Sequence, residues 1–300
     1  MSRRKRDRKK RNRKKVAYGV VAVASILIFL IYFSLNQSNP TSQPKAAIVD
    51  HLSRREPNQT FVQDSRTILQ EAGFTVDYHG WTRLTDVYNY KNILKQNYQL
   101  FVLRVHSAIT MIRDQEVIGI FTWERYDPEN IPEKYYQDVM DDRLVEAYFS
   151  EEERAKGETY FGITHRFIEE YGEFQNTVII MMGCNGLTYT SMAEAFVKKG
   201  AKAYISWDKR VGVSHTDQAT MHLLQSLILR ERTIKQAVTE TMETVGPDSV
   251  YENSTLRYYP KTPEAENYTI PNPKASLIMI AILSSPTRES LKKNISEALG

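Results

Sequence analysis

A chain of 300 residues, 41% hydrophobic and 25% charged, has the apolar content to bury a sizeable core and lies outside the disordered and fibrous classes. The net charge of +4 is divided: residues 1–15 hold eleven Lys/Arg against Asp7, so this arm carries +10 and the remainder −6, a balance that gives the body no nucleic-acid footprint. One cysteine, Cys184, excludes an intramolecular disulfide and a multi-cysteine zinc site.

Behind the basic arm, residues 16–35 (VAYGVVAVASILIFLIYFSL) are apolar and free of charge. A helix of that length spans about 30 Å, one hydrocarbon core. The flanking bases are expected on the cytoplasmic side, which puts the rest of the chain on the extracytoplasmic side of a single-pass anchor. The arm then acts as a topology determinant, in contact with anionic lipid at most. A cleaved signal peptide is the rival reading, and cleavage near 36–44 would give a soluble secreted domain. Its apolar region is normally about 7–15 residues and ends in a small-x-small site, a pattern that 35–40 lacks. Residues 36–44 (NQSNPTSQP) form a polar linker, and the body starts at Lys45. Sequons at Asn36, Asn58, Asn253, Asn267 and Asn294 lend weak support to an external glycoprotein.

The body opens with an apolar strand at 46–52, a helix at 60–72 closed by Gly73, a short strand at 75–78, a helix at 88–96 and a strand at 98–105. This alternation predicts an α/β fold with a mostly parallel, helix-covered sheet. Residues 117–123 form a further extended run. Residues 127–156 are charged and read as helix plus loop, so 114–171 reads as an insertion between the two halves of the sheet. A helix is expected within 160–171. Next come a buried strand at 178–182, a turn Gly183-Cys184-Asn185-Gly186, a helix at 191–199 and a strand at 203–207. An unbroken helix is expected over 216–245, opened by His215-Thr216-Asp217, where acceptors favour a helix start. Residues 251–273 read as a surface loop, 275–283 as a last core strand and 287–299 as a closing helix.

His106 and Cys184 each follow a strongly apolar strand. In a parallel sheet both emerge on the carboxyl rim, where open α/β sheets place their sites. Neighbouring strands lie about 4.8 Å apart, which would bring an imidazole within reach of a thiol. The thiolate is the nucleophile, and an adjacent histidine activates it. The glycines beside Cys184 would admit a substrate backbone and expose amides to an oxyanion. The structural alternative is a small buried hydrophobe beside a polar rim residue.

The order strand-His106, strand-Gly183-Cys184, then Ser191-Met192-Ala193-Glu194-Ala195-Phe196 and Gly200-Ala201-Lys202-Ala203-Tyr204-Ile205-Ser206-Trp207, resembles the caspase-like fold of cysteine peptidases, closest to its gingipain and CHAT-like branch. The resemblance covers 45–246. It implies a three-layer sandwich preceded by the anchor, a peptide or protein substrate and no cofactor. It makes His106 the proton carrier and Cys184 the nucleophile, with the oxyanion held by the amides of Cys184 and Ser107. The family has His-Gly where this chain has His106-Ser107, and 78 residues separate His106 from Cys184, more than in many members. Both departures suit the alternative reading, an inactive domain of the same fold that binds a peptide or glycan at the cell surface. Glu124, Asp208 and Asp217 follow strands expected to end on the same rim, and an acidic pocket there would select Arg or Lys in the substrate.

Phosphate-loop, dinucleotide, H-E-x-x-H and G-x-S-x-G motifs are all missing from the chain.

Overall fold

The structure, a computed structural model, describes residues 43–81 and 86–274. The arm, the 16–35 segment, most of the linker, and the strand and helix expected beyond 274 lie outside the described residues. Among the described residues no helix is long and apolar enough to cross a membrane.

The body is a mixed α/β structure. Its first part runs β1 (Lys45–Asp50), α1 (Gln59–Glu71), β2 (Thr75–Gly80), α2 (Val87–Ile93) and β3 (Tyr98–Arg104). Polar residues start the helices: Asn58 Oδ1 accepts from the Phe61 amide at α1, and Asp86 Oδ1 from the Asn89 amide at α2. Gly73, at φ +94°, takes the left-handed turn that ends α1. A second sheet follows at once: β4 (Ser107–Ile112), β5 (Gln115–Arg125), α3 (Glu133–Met140), β6 (Leu144–Ala147), α4 (Glu151–Ala155) and β7 (Tyr160–Ile163). After α5 (His165–Tyr171) the chain returns to the first sheet through β8 (Thr177–Met181), α6 (Ser191–Lys198) and β9 (Ala201–Trp207). It continues with α7 (Val213–Leu224), a π turn (Gln225–Leu229), α8 (Ile234–Thr244), β10 (Leu256–Tyr259) and α9 (Pro263–Glu266).

Among the described residues the main sheet has the order β10-β9-β8-β3-β1-β2 and is parallel except for β10. Alternate residues of its strands feed two cores. Ile48, Val102, Ile180 and Ile205 pack with α1, α7 and α8. Val49, Phe101, Ile179 and Met181 pack with α2, α5, α6 and the inner face of the second sheet. That second sheet is antiparallel, in the order β4-β5-β7-β6.

Three expectations need correction. The helix expected over 216–245 is two helices, because Glu231 sits at φ +52° and Thr233 forms a capping box with Gln236 that starts α8 afresh. Its start also lies earlier: Gly212 is the N-cap, so His215 and Asp217 stand inside α7. Residues 127–156 contain a strand, β6, and 251–273 contain β10. Each has four residues, too few for a two-residue alternation to stand out.

Candidate functional site

β3 and β8 are parallel neighbours, in register from Leu100↔Val178 to Leu103↔Met181. The ladder extends one bond further, from the Met182 amide to the Leu103 carbonyl at 2.9 Å. His106 therefore leaves the carboxyl rim beside the turn that carries Cys184. Asn185, at φ +61°, makes that turn, and the amides of Asn185 and Leu187 donate to Lys209 and Trp207 carbonyls at 2.8 Å, fixing it to the end of β9.

Ser107 ties the two catalytic candidates together. Its hydroxyl donates to the Cys184 carbonyl at 2.6 Å. The Phe121 amide donates to the His106 carbonyl at 3.0 Å, which makes Ser107 and Ile120 a non-hydrogen-bonded pair of the β4–β5 ladder. The Ser107 amide thus points away from β5. The Cys184 amide donates to no acceptor among the described residues. The two amides expected at an oxyanion site are in this sense available.

The side chains are less engaged with each other than the spacing suggests. Cys184 Sγ lies 3.5 Å from the Val211 amide and 3.6 Å from its carbonyl. The His106 ring packs on Phe149 at 4.7 Å and Phe121 at 6.3 Å, with a buried Nε2 that has no hydrogen-bond partner. Among the described residues no hydrogen bond joins thiol and imidazole. Burial first, then the positive charge of Arg55, pushes the His106 imidazole down to about 4. At neutral pH the ring is uncharged.

Residues that the sequence did not single out complete the rim. The Arg55 guanidinium lies 3.8 Å from the centre of the Phe149 ring, and that of Arg54 lies 4.6 Å from Trp123. Positions 54, 55, 123 and 149 share no motif, and only the packing of the second sheet onto the first brings them together.

The three acids are committed to the chain's own donors. Glu124 accepts from the Val87 amide at 2.8 Å and the Tyr135 hydroxyl at 2.9 Å. Asp208 takes the Thr255 amide and hydroxyl at 2.7 and 2.8 Å and Arg257 at 2.6 Å. Asp217 receives Arg104 through both oxygens at 2.8 Å, and the Asn58 amide at 2.9 Å. Among the described residues the three acids share no hydrogen-bond donor. Arg104, fully buried, also binds Asp50 at 2.8 Å and the Glu56 carbonyl at 2.9 Å. Burial holds the Asp50 carboxyl above the usual range against the pull of Arg104. Asn58, committed at both ends of its amide, is no free glycosylation acceptor.

The flanking glycines also serve the chain itself. A side chain at Gly183 would strike the Ser107 hydroxyl and the Val105 carbonyl, and one at Gly186 would strike Ser206 and Met181. His215 Nε2 lies 3.1 Å from the Gly246 carbonyl, and its ring packs on Trp207. No cluster of three or more His, Cys, Asp or Glu side chains suited to a metal occurs among the described residues.

No family model and no curated protein matches the chain. Among solved structures it is similar to protein GSU0716 from Geobacter sulfurreducens, at 10% identity and a TM-score of 0.40, over 76% of this chain and 98% of that one.

Proposed function

We propose that this chain is a cysteine endopeptidase of caspase-like fold, held to a membrane by residues 16–35 with its body on the extracytoplasmic side. The observation that carries the reading is the adjacency of β3 and β8, from which His106 and Cys184 leave the same rim. The mostly parallel sheet with helices on both faces is consistent with that fold.

In this reading the Cys184 thiol turns from Val211 to the peptide carbonyl and attacks it. Its proton passes to the neutral imidazole of His106 as the C–S bond forms. The developing oxyanion is received by the amides of Cys184 and Ser107. The tetrahedral adduct collapses, the amine leaves with the proton from His106, and water hydrolyses the acyl-enzyme by the same route in reverse. Because the imidazole is neutral at rest, proton transfer accompanies attack instead of preceding it.

The test is hydrolysis of a fluorogenic peptide library by the full chain under reducing conditions, beside Cys184→Ala. Loss of cleavage in the variant supports the reading, and equal cleavage by parent and variant ends it. A second reading, an inactive domain that binds a peptide or glycan, is favoured by the contact of the thiol with Val211 and the lack of a bond to His106. Alkylation separates the two: a catalytic thiol, with His106 to take its proton, reacts with iodoacetamide faster in the parent than in His106→Gln, and a thiol inert in both points to the binding protein.

A further inference from the structure

Among the described residues the second sheet has an open edge that begins at the candidate site. β4 stands at the end of the order β4-β5-β7-β6. The bond from the Phe121 amide to the His106 carbonyl sets the phase of its ladder. His106, Ala108, Thr110 and Ile112 turn their backbone groups to β5, so Ser107, Ile109 and Met111 turn theirs to the open side.

Edge strands of soluble proteins are normally blocked by a charge, a proline, a bulge or short length. Among the described residues two other sheet ends follow that rule: β10 carries Arg257 and β6 carries Glu146, and each is only four residues long. β4, SAITMI, has no charge, no proline and an unbroken register over six residues. Its Ile109 and Met111 are 40% and 57% exposed and lie on the same face of the strand as Ser107. Ser107 in turn holds the Cys184 carbonyl.

We propose that an extended peptide substrate pairs with the β4 edge along Ser107, Ile109 and Met111 and so is led to Cys184. Main-chain bonds supply the affinity, and Ile109 and Met111 select apolar side chains at alternate positions of the peptide. That the occupant is a substrate rests on the peptidase reading; that an extended peptide occupies the edge does not.

The test uses the full chain with Cys184→Ala, so that a peptide binds without turnover. The probes are a ten-residue peptide with valine at every second position and its counterpart with aspartate there. The valine peptide should slow amide exchange at Ile109 and Met111 and leave Thr110 and Ile112, already paired to β5, unchanged; the aspartate peptide should do neither. Ile109→Pro deletes an outward amide and no β4–β5 bond, and should weaken binding about tenfold. Met111→Lys, a surface charge that leaves the fold alone, should do the same. No binding of the valine peptide, binding without protection of these two amides, or parental affinity in both variants would overturn the proposal. Protection that grows with protein concentration in the absence of peptide would seat a second copy of this chain on the edge and also overturn it. Cleavage is read separately in the chain that retains Cys184. Binding at β4 with no cleavage refutes the peptidase alone, and cleavage with parental KM in Met111→Lys refutes the edge alone.

Discussion

His106 was legible in the sequence as a residue that ends an apolar strand, but its surroundings were not. Phe149, which covers its ring, comes from a segment 43 residues away whose strands are too short to announce themselves. Burial under that ring has a pH signature. An unfolded histidine takes its proton near pH 6.5, and here the folded one waits until about 4. Between those values the unfolded chain binds one proton more than the folded chain, so stability is full above about pH 6.5 and is lost as the pH falls toward 4, by about 3 kcal/mol at most. The urea midpoint of the parent should therefore fall more steeply over that window than that of His106→Gln. If the peptidase reading holds, the acid limb of kcat/KM should lie near pH 4 instead of near 6.5. Ser107 offers a sharper residue-scale test. Ser107→Ala removes the 2.6 Å bond to the Cys184 carbonyl, should cost about 1 kcal/mol in stability, and should lower kcat more than it raises KM. In the sequence this position was visible as an expected oxyanion amide and as a departure from glycine, not as a hydroxyl donor. Its hydroxyl bond joins residues 77 apart and had no local signal.

At the scale of elements, strands and helices with many residues were readable, and those decided by partners were not. β1, β3, β8 and β9 are long apolar runs, buried on both faces, and their apolar content is itself the signal. The break between α7 and α8 was missed because no Gly or Pro marks it. The signal was the polar run Arg230-Glu231-Arg232-Thr233 and the Thr233–Gln236 spacing, and Thr233→Ala should cost about 1 kcal/mol. The acids Glu124, Asp208 and Asp217 were named from the sequence but their partners were not, because the sequence pairs no acid with a base. Arg104 ends β3, Asp50 ends β1 and Asp217 lies in the second turn of α7, so one guanidinium joins three elements under the candidate site. Arg104→Met leaves two buried carboxylates without their cation and should destabilise by about 3–5 kcal/mol. Arg104→Lys should not rescue it, since an ammonium cannot span Asp50, Asp217 and the Glu56 carbonyl together. Arg104→Met with Asp50→Asn and Asp217→Asn should recover most of the loss. Thermal melts of the three variants check this, and a full rescue by lysine would show that charge alone, without the fork, holds the elements.

At the scale of the whole body, the parallel sheet is shared by two cores, and the second sheet belongs to one of them. Ile118 and Ile120 of β5 and Phe161 and Ile163 of β7 lie in the same cluster as Phe101, Leu103, Ile179 and Met181 of the main sheet. The insertion is thus no appended module: its inner face completes the layer that α2, α5 and α6 leave open. His106 sits at the seam, since the chain passes from β3 to β4 through it. A site built at such a seam keeps its geometry only while both sheets stay docked. The two sheets should therefore unfold together. Ile120→Ala, a fully buried truncation in β5, should cost about 2–5 kcal/mol. The loss should appear equally in the fluorescence of Trp123, within the second sheet, and of Trp207, at the end of β9 in the main sheet. Single-tryptophan variants followed through urea would read this directly. Coincident midpoints that move together place both sheets in one cooperative unit. A Trp207 midpoint left unmoved by Ile120→Ala would mean that the second sheet opens on its own, and that His106 can part from Cys184 without loss of the main fold.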